Sequence, residues 1–177
     1  TTIVQNKGFR SESTVQGMTV VQAVSGNAGW TINPMSGNTK AIALPEDAVK
    51  SLANETDLTG LYNYKVKGYK VTLDGEEELS GAKVYKVSMT LPSGVRRINY
   101  ISKDTFYILK IVAHTTINGQ DIMSENVQSD FRAVDGIYYP FASEVTTSAM
   151  PGTKMGLKIT ALEVNPQIDP KIFEMPQ

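Results

Sequence analysis

The sequence predicts a mainly β, α+β protein in which antiparallel strands curl into an incomplete barrel, a curved half-barrel sheet with a short helical lid. Three observations predict it. Turn chemistry recurs along the chain, at Asp74-Gly75, Ser80-Gly81, Pro92-Ser93-Gly94, Asn118-Gly119, Asp135-Gly136 and Pro151-Gly152, all residues that tolerate positive φ or preset a turn. Between these marks the side chains alternate with period two, the pattern of strands wetted on one face. A single stretch carries convincing helical spacing, so one helix must serve a large area of sheet.

Residues 8–16, 17–25 and 28–33 read as short strands of a meander, with Trp30 and Ile32 pointing the same way. The helix begins at Pro45, carries Glu46 and Asp47 in its first turn where the dipole favours anions, and repeats Ala48, Val49, Leu52 and Ala53 at helical spacing. Its apolar side, Val49 and Leu52, would form the lid. Further on, Tyr85, Val87, Met89 and Leu91 alternate with Lys86, Ser88 and Thr90. The same period gives Tyr107, Leu109 and Ile111 within residues 105–114, and Met155, Leu157, Ile159 and Ala161 opposite Lys158 and Thr160. A last turn is expected at residues 169–173, with Asp169 as N-cap and Pro170 at the first helical position.

At 177 residues and 19.3 kDa the chain is sized for a single domain over residues 1–177, able to bury roughly 70% of its unfolded surface. Apolar residues make up 41% and charged residues 20%, with 17 basic against 18 acidic side chains, which excludes disorder and coiled coil. A net charge of -1, with no like-charge block longer than Glu76, Glu77 and Glu78, leaves no footprint for a polyanion and argues against nucleic acid. No window approaches the ~18 consecutive apolar residues of a membrane span, so membrane contact is expected to be peripheral at most. Without cysteine there is no disulfide, thiolate metal site or cysteine nucleophile. The start at Thr1-Thr2-Ile3 is expected to lie downstream of a removed leader.

A search for chemistry finds no nucleophile elbow, zinc-protease helix, phosphate loop or dinucleotide fingerprint, so no catalytic residue, metal or cofactor is expected. His114 is the only histidine and reads as a strand-end residue. The run Glu76 to Glu78 fits a solvated hairpin end beside Asp74-Gly75, and Asp130 and Asp135 fit a long connection turning at Asp135-Gly136 rather than paired carboxylates. Asn54-Glu55-Thr56 matches a glycosylation acceptor, a short string that arises readily by chance. Arg96-Arg97 alternates across a strand, one side chain outward and one inward.

The remaining signal is apolar. Seven methionines, eight tyrosines and five phenylalanines fall largely on strands, more than one helix can cover. The concave side of such a half-barrel could hold a cavity lined by Met89, Met155, Leu109, Ile159 and their neighbours, with methionine adapting to a flexible guest. Periodicity is equally compatible with side chains that fill the barrel.

Two segments add a family resemblance: Ala28-Gly29-Trp30-Thr31-Ile32-Asn33-Pro34-Met35-Ser36-Gly37, and the closing Asn165-Pro166-Gln167-Ile168-Asp169-Pro170-Lys171-Ile172-Phe173-Glu174-Met175-Pro176. With Tyr64-Lys65-Val66-Lys67-Gly68-Tyr69 and the hairpin series between them, they resemble the outer-membrane lipoprotein-sorting family, the LolA/LolB-like carriers, over nearly the whole chain. The resemblance implies a periplasmic half-barrel whose concave apolar face takes up acyl chains of lipoproteins or other lipids. It implies an inner-membrane donor and an outer-membrane acceptor protein, and no cofactor. It also implies that the family's N-terminal helix and first strands precede the stretch seen here. Lys7 and Arg10 lie in the stretch where the family carries a lid-holding arginine, and no gating role is carried over to either. The expected ligand-lining set is Trp30, Ile32, Tyr85, Val87, Met89, Leu91, Tyr107, Leu109, Ile111, Met155, Leu157 and Ile159. A sensor or protein-interaction domain of the same fold is the alternative, followed by an enzyme acting on a lipid, which would need His114 or a carboxylate in the cavity.

Overall fold

Because most turn signals separate two alternating segments, nearly every strand finds its sequence neighbour as its partner. The computed structural model describes residues 1–117 and 119–176, and at Val15 and Ile117 the backbone alone. The chain divides into two compact units, Thr1–Tyr62 with Gln167–Gln177, and Asn63–Pro166.

The first unit is built on five antiparallel strands in sequential order, β1 (Thr2–Val4), β2 (Gly8–Val15), β3 (Met18–Ser25), β4 (Ala28–Asn33) and β5 (Asn38–Ala43). Their register sets Arg10, Ala23, Trp30 and Ala43 side by side on one face. There Val21, Ala23 and Trp30 form a buried cluster backed by Ile32 and Ala41. The helix α1 (Glu46–Ala53) follows Pro45 as expected. Glu46 and Lys50 pair one turn apart on its exposed side, while Val49 is buried, Leu52 half-buried, and the helix packs against β2 and β3.

The chain returns to this unit through a 3-10 turn at Pro170–Phe173, and the Asp169 side chain accepts the Lys171 N–H at 3.0 Å. Phe173 is buried and its carbonyl accepts the Trp30 indole N–H at 2.9 Å. Gly8 makes room for it, since a Cβ there would sit 2.9 Å from the Phe173 ring. The Arg10 guanidinium donates to the Ile172 carbonyl at 2.8 Å, pairs with Glu12, and lies 5.7 Å from the centre of the Trp30 ring.

The second unit is a seven-stranded antiparallel sheet, again in sequential order: β6 (Lys70–Leu79), β7 (Ala82–Thr90), β8 (Arg96–Ser102), β9 (Ile108–Ile117), β10 (Gln120–Val134), β11 (Ile137–Thr147) and β12 (Lys154–Lys158). Neither sheet closes on itself, and α1 is the one α-helix among the described residues. The mainly β class with open antiparallel sheets and a short helix is therefore as expected.

Several local expectations need correction. Asp74-Gly75 is no turn: β6 runs through it, and the register with β7 shifts between Leu73 and Gly75, whose φ of 145° suits glycine alone. Glu76 to Glu78 are exposed residues near the end of β6, so the hairpin end they occupy is the one that turns at Ser80-Gly81 and not one at Asp74-Gly75. The stretch around Asp130 is likewise the far part of β10, and the turn comes only at Asp135-Gly136. The last strand stops at Lys158, so Ile159 and Ala161 lie beyond it. Residues 64–68 form turns. Strands β9 and β10 pair as the Asn118-Gly119 signal requires, while Asn118 itself lies outside the described residues.

Candidate ligand-binding face

Directly opposed residues of antiparallel strands share a face, so the registers of the seven-stranded sheet can be followed from edge to edge. Leu73 lies opposite Val87, Val87 opposite Asn99, Asn99 opposite Ile111, Ile111 opposite Asn126, Asn126 opposite Val145, and Val145 opposite Met155. One row thus crosses all seven strands with no charged side chain in it. At ~4.8 Å per strand step it is roughly 29 Å long. Leu73 and Met155 at its ends are exposed, Val87, Ile111, Asn126 and Val145 are half-buried, and Asn99 is buried. Alternation adds Tyr85 and Met89 from β7, Ile101 from β8 and Leu157 from β12 to the same face.

Charge on this face stands off the row. Glu76, opposite Tyr85, binds Lys103 at 2.6 Å, and that ammonium lies 5.1 Å from the centre of the Tyr85 ring; the bond from Glu76 raises the Lys103 pKa. Farther along β10, Arg132 donates to both carboxylate oxygens of Asp130 at 2.9 and 2.6 Å and lies 4.7 Å from the centre of the Phe141 ring. The bond from Arg132 holds the Asp130 carboxyl below its ordinary range.

The opposite face has a different character. Three ion pairs lie across it, Lys86 with Glu77 at 2.8 Å, Lys110 with Glu125 at 3.4 Å and Lys154 with Glu144 at 2.8 Å. Lys110 and Lys86 also reach the Tyr100 ring, 4.5 and 5.9 Å from its centre. Beneath them Val84, Tyr100 and Val112 form a buried cluster with Leu79, Ile98 and Leu109 packed on it. That face is a solvated surface over a small core.

The expected lining residues separate into groups. Val87, Ile111 and Met155 stand in the uncharged row, and Tyr85, Met89 and Leu157 share its face. Met89 and Leu91 are buried, whereas Met155, Leu157 and Ile159 are exposed. Leu109 is displaced: the β8–β9 register shifts between Tyr100 and Ile101, and Leu109 packs with Val84, Tyr100 and Val112 instead. Tyr107 precedes β9 and stacks on Phe131 at 4.6 Å and Tyr138 at 5.2 Å, surroundings whose desolvation raises its pKa. Trp30 and Ile32 belong to the first unit, where with Arg10, Val21, Lys171 and Met175 they line a separate pocket of about 380 Å³. Sequence reading missed Leu73, which directly precedes the Asp74-Gly75 pair read as a turn, and Asn99, Asn126 and Val145. The hairpin turns, read as register constraints, would have set Asn99 opposite Val87.

The other candidates stand off the row. His114 is half-buried in β9 with Nδ1 3.5 Å from an Asp121 carboxylate oxygen. Asp130 is paired with Arg132 rather than with Asp135. Arg96 is exposed and Arg97 half-buried, as their alternation predicts. Among the described residues no group of three or more His, Asp or Glu side chains could hold a metal ion, and no helix is long and apolar enough to cross a membrane.

Three solved structures share this fold of open antiparallel sheets, one of them a LolA superfamily protein. A LolA superfamily protein from Nitrosomonas europaea matches with a TM-score of 0.64 at 14% identity, over 96% of this chain and 77% of that one. A DUF1329 family protein from Desulfovibrio piger matches at 0.60 and 14%, over 94% and 80%. A domain from Vibrio parahaemolyticus, assigned as an outer membrane lipoprotein-sorting protein, matches at 0.57 and 13%, over 92% and 79%. The family model that matches the sequence itself, over residues 8–177, is described as "Uncharacterized protein", and the chain belongs to that family. No curated protein matches the chain.

Proposed function

We propose that this protein is a non-catalytic carrier of acyl chains, those of lipoproteins or of other lipids, working in the bacterial periplasm as a single LolA-like domain. The observation that carries the reading is the uncharged row from Leu73 to Met155, set between charged rims. It is supported by the shared fold of a domain assigned to lipoprotein sorting. Burying methylenes alone supplies the affinity: at ~0.8 kcal/mol each, a chain of about fifteen gains roughly 12 kcal/mol before ordering costs. Such binding needs no cofactor and no reacting group. Release then follows from competition by a more apolar acceptor, which suits a chain passed from an inner-membrane donor to an outer-membrane acceptor.

Native mass spectrometry of protein purified without detergent, followed by lipid extraction, tests this directly. Co-purified acyl species, and uptake of a fluorescent fatty acid that falls about tenfold or more in Ile111→Glu, are the expected results, because a carboxylate in the row must be desolvated or neutralised. A bare protein that takes up no fatty acid would overturn the carrier reading and favour an interaction domain.

A further inference from the structure

The row is apolar except at two amides, and these flank Ile111 on neighbouring strands. Asn99 is 3% exposed, and its Nδ2 reaches the Val87 carbonyl only at 3.5 Å. Asn126 Oδ1 is shielded from solvent and accepts no hydrogen bond. Leaving a buried acceptor unpaired is destabilising, and an apolar side chain of similar shape would avoid that cost. The opposite face shows what a polar group on this sheet ordinarily does: Lys86, Lys110 and Glu144 all find partners. The amide torsion of asparagine is broad, so a half-buried Asn126 can turn its acceptor toward a guest lying along the row.

We propose that Asn126, with Asn99 beside it, is a polar subsite that selects acyl chains carrying an amide N–H over chains joined by an ester. The inference rests on the carrier reading and names the chemistry of its guest. A chain lying against Val87 and Ile111 sets its amide at the level of the two asparagines. Its N–H donates to Asn126 Oδ1, and the acceptor left unpaired in the empty face is satisfied. An ester offers the same chain length and no donor, so it leaves the acceptor unpaired and also desolvated. One neutral hydrogen bond gained corresponds to roughly a three- to tenfold preference.

Dodecanamide and methyl dodecanoate, matched in chain length and both uncharged, test this as competitors of a bound fluorescent fatty acid. The wild-type protein is expected to prefer the amide by about three- to tenfold. Asn126→Leu is expected to bring that ratio close to one while retaining the ester, and to raise the thermal midpoint because an unpaired acceptor is gone. Asn126→Asp, which keeps an acceptor, is expected to retain the preference for the amide. Equal displacement by both competitors in the wild type, or an unchanged ratio in a folded Asn126→Leu, would overturn the subsite and leave the carrier standing. Failure of the wild type to bind the probe or either competitor would overturn both.

Discussion

The two sheets each present an apolar strip, and they differ in what lies on it. In the five-stranded sheet the strip of Val21, Ala23 and Trp30 belongs to a unit that supplies its own cover, for Phe173 is buried over Gly8 and bonded through its carbonyl to the Trp30 indole. In the seven-stranded sheet the row from Leu73 to Met155 belongs to a unit made, among the described residues, of strands and turns. Its middle is half-buried apart from the buried Asn99, and its ends are exposed. An apolar strip covered by its own chain contributes stability; one left partly open retains surface that a guest can bury.

The largest expected effect breaks the covered strip. Phe173→Ala should cost about 3 kcal/mol or more in urea unfolding, by lost transfer energy and by the void left over Gly8. Fatty-acid uptake per folded molecule should stay within about twofold, because Phe173 is not in the row. A folded Phe173→Ala that had lost uptake would mean that the covered strip, not the row, binds the guest. Ile111→Glu is the reciprocal variant, removing uptake while Ser88→Glu, on the charged face, preserves it.

How far the two strips were legible follows from the same contrast. The covered strip is written in short-range signals: Gly8 to Ser25 as a tight hairpin, Trp30 on an alternating strand, Asp169 and Pro170 opening a 3-10 turn. Each is a local choice of backbone conformation. The row depends on the registers of six strand pairs in succession, and a slip of one residue exchanges faces. The two irregularities in that path are where expectation failed, at Asp74-Gly75, read as a turn, and at Leu109, whose side of the sheet a register shift decides. The two asparagines were passed over because alternation of apolar residues cannot announce a polar member of an apolar row.

Smaller effects are expected on the ion-paired face. Lys154 and Glu144 are both well exposed, so Lys154→Met should leave the urea midpoint almost unchanged. The pair raises the Lys154 pKa, yet solvent screening leaves little of that in the folding free energy. A change in uptake on Lys154→Met, measured by fatty-acid titration at low and high salt, would show that the charged face contributes to binding after all.

The smallest effect sits at the rim of the row and is read as a pH dependence. Asp130 is held below its ordinary carboxyl range by the bond from Arg132. A carboxylate with a lowered folded pKa contributes stability above its unfolded pKa of about 3.9. That contribution is lost as pH falls through the lowered folded value. Urea midpoints taken between about pH 5 and pH 2 should therefore fall slightly less steeply in Asp130→Asn than in the wild type, with equal slopes near neutrality. Uptake at neutral pH should be the same in both proteins, because the pair stands off the row four and six residues along β10 from Asn126. A loss of uptake in Asp130→Asn would extend the binding face to the rim and bring Phe141, over which Arg132 lies, into the guest's path.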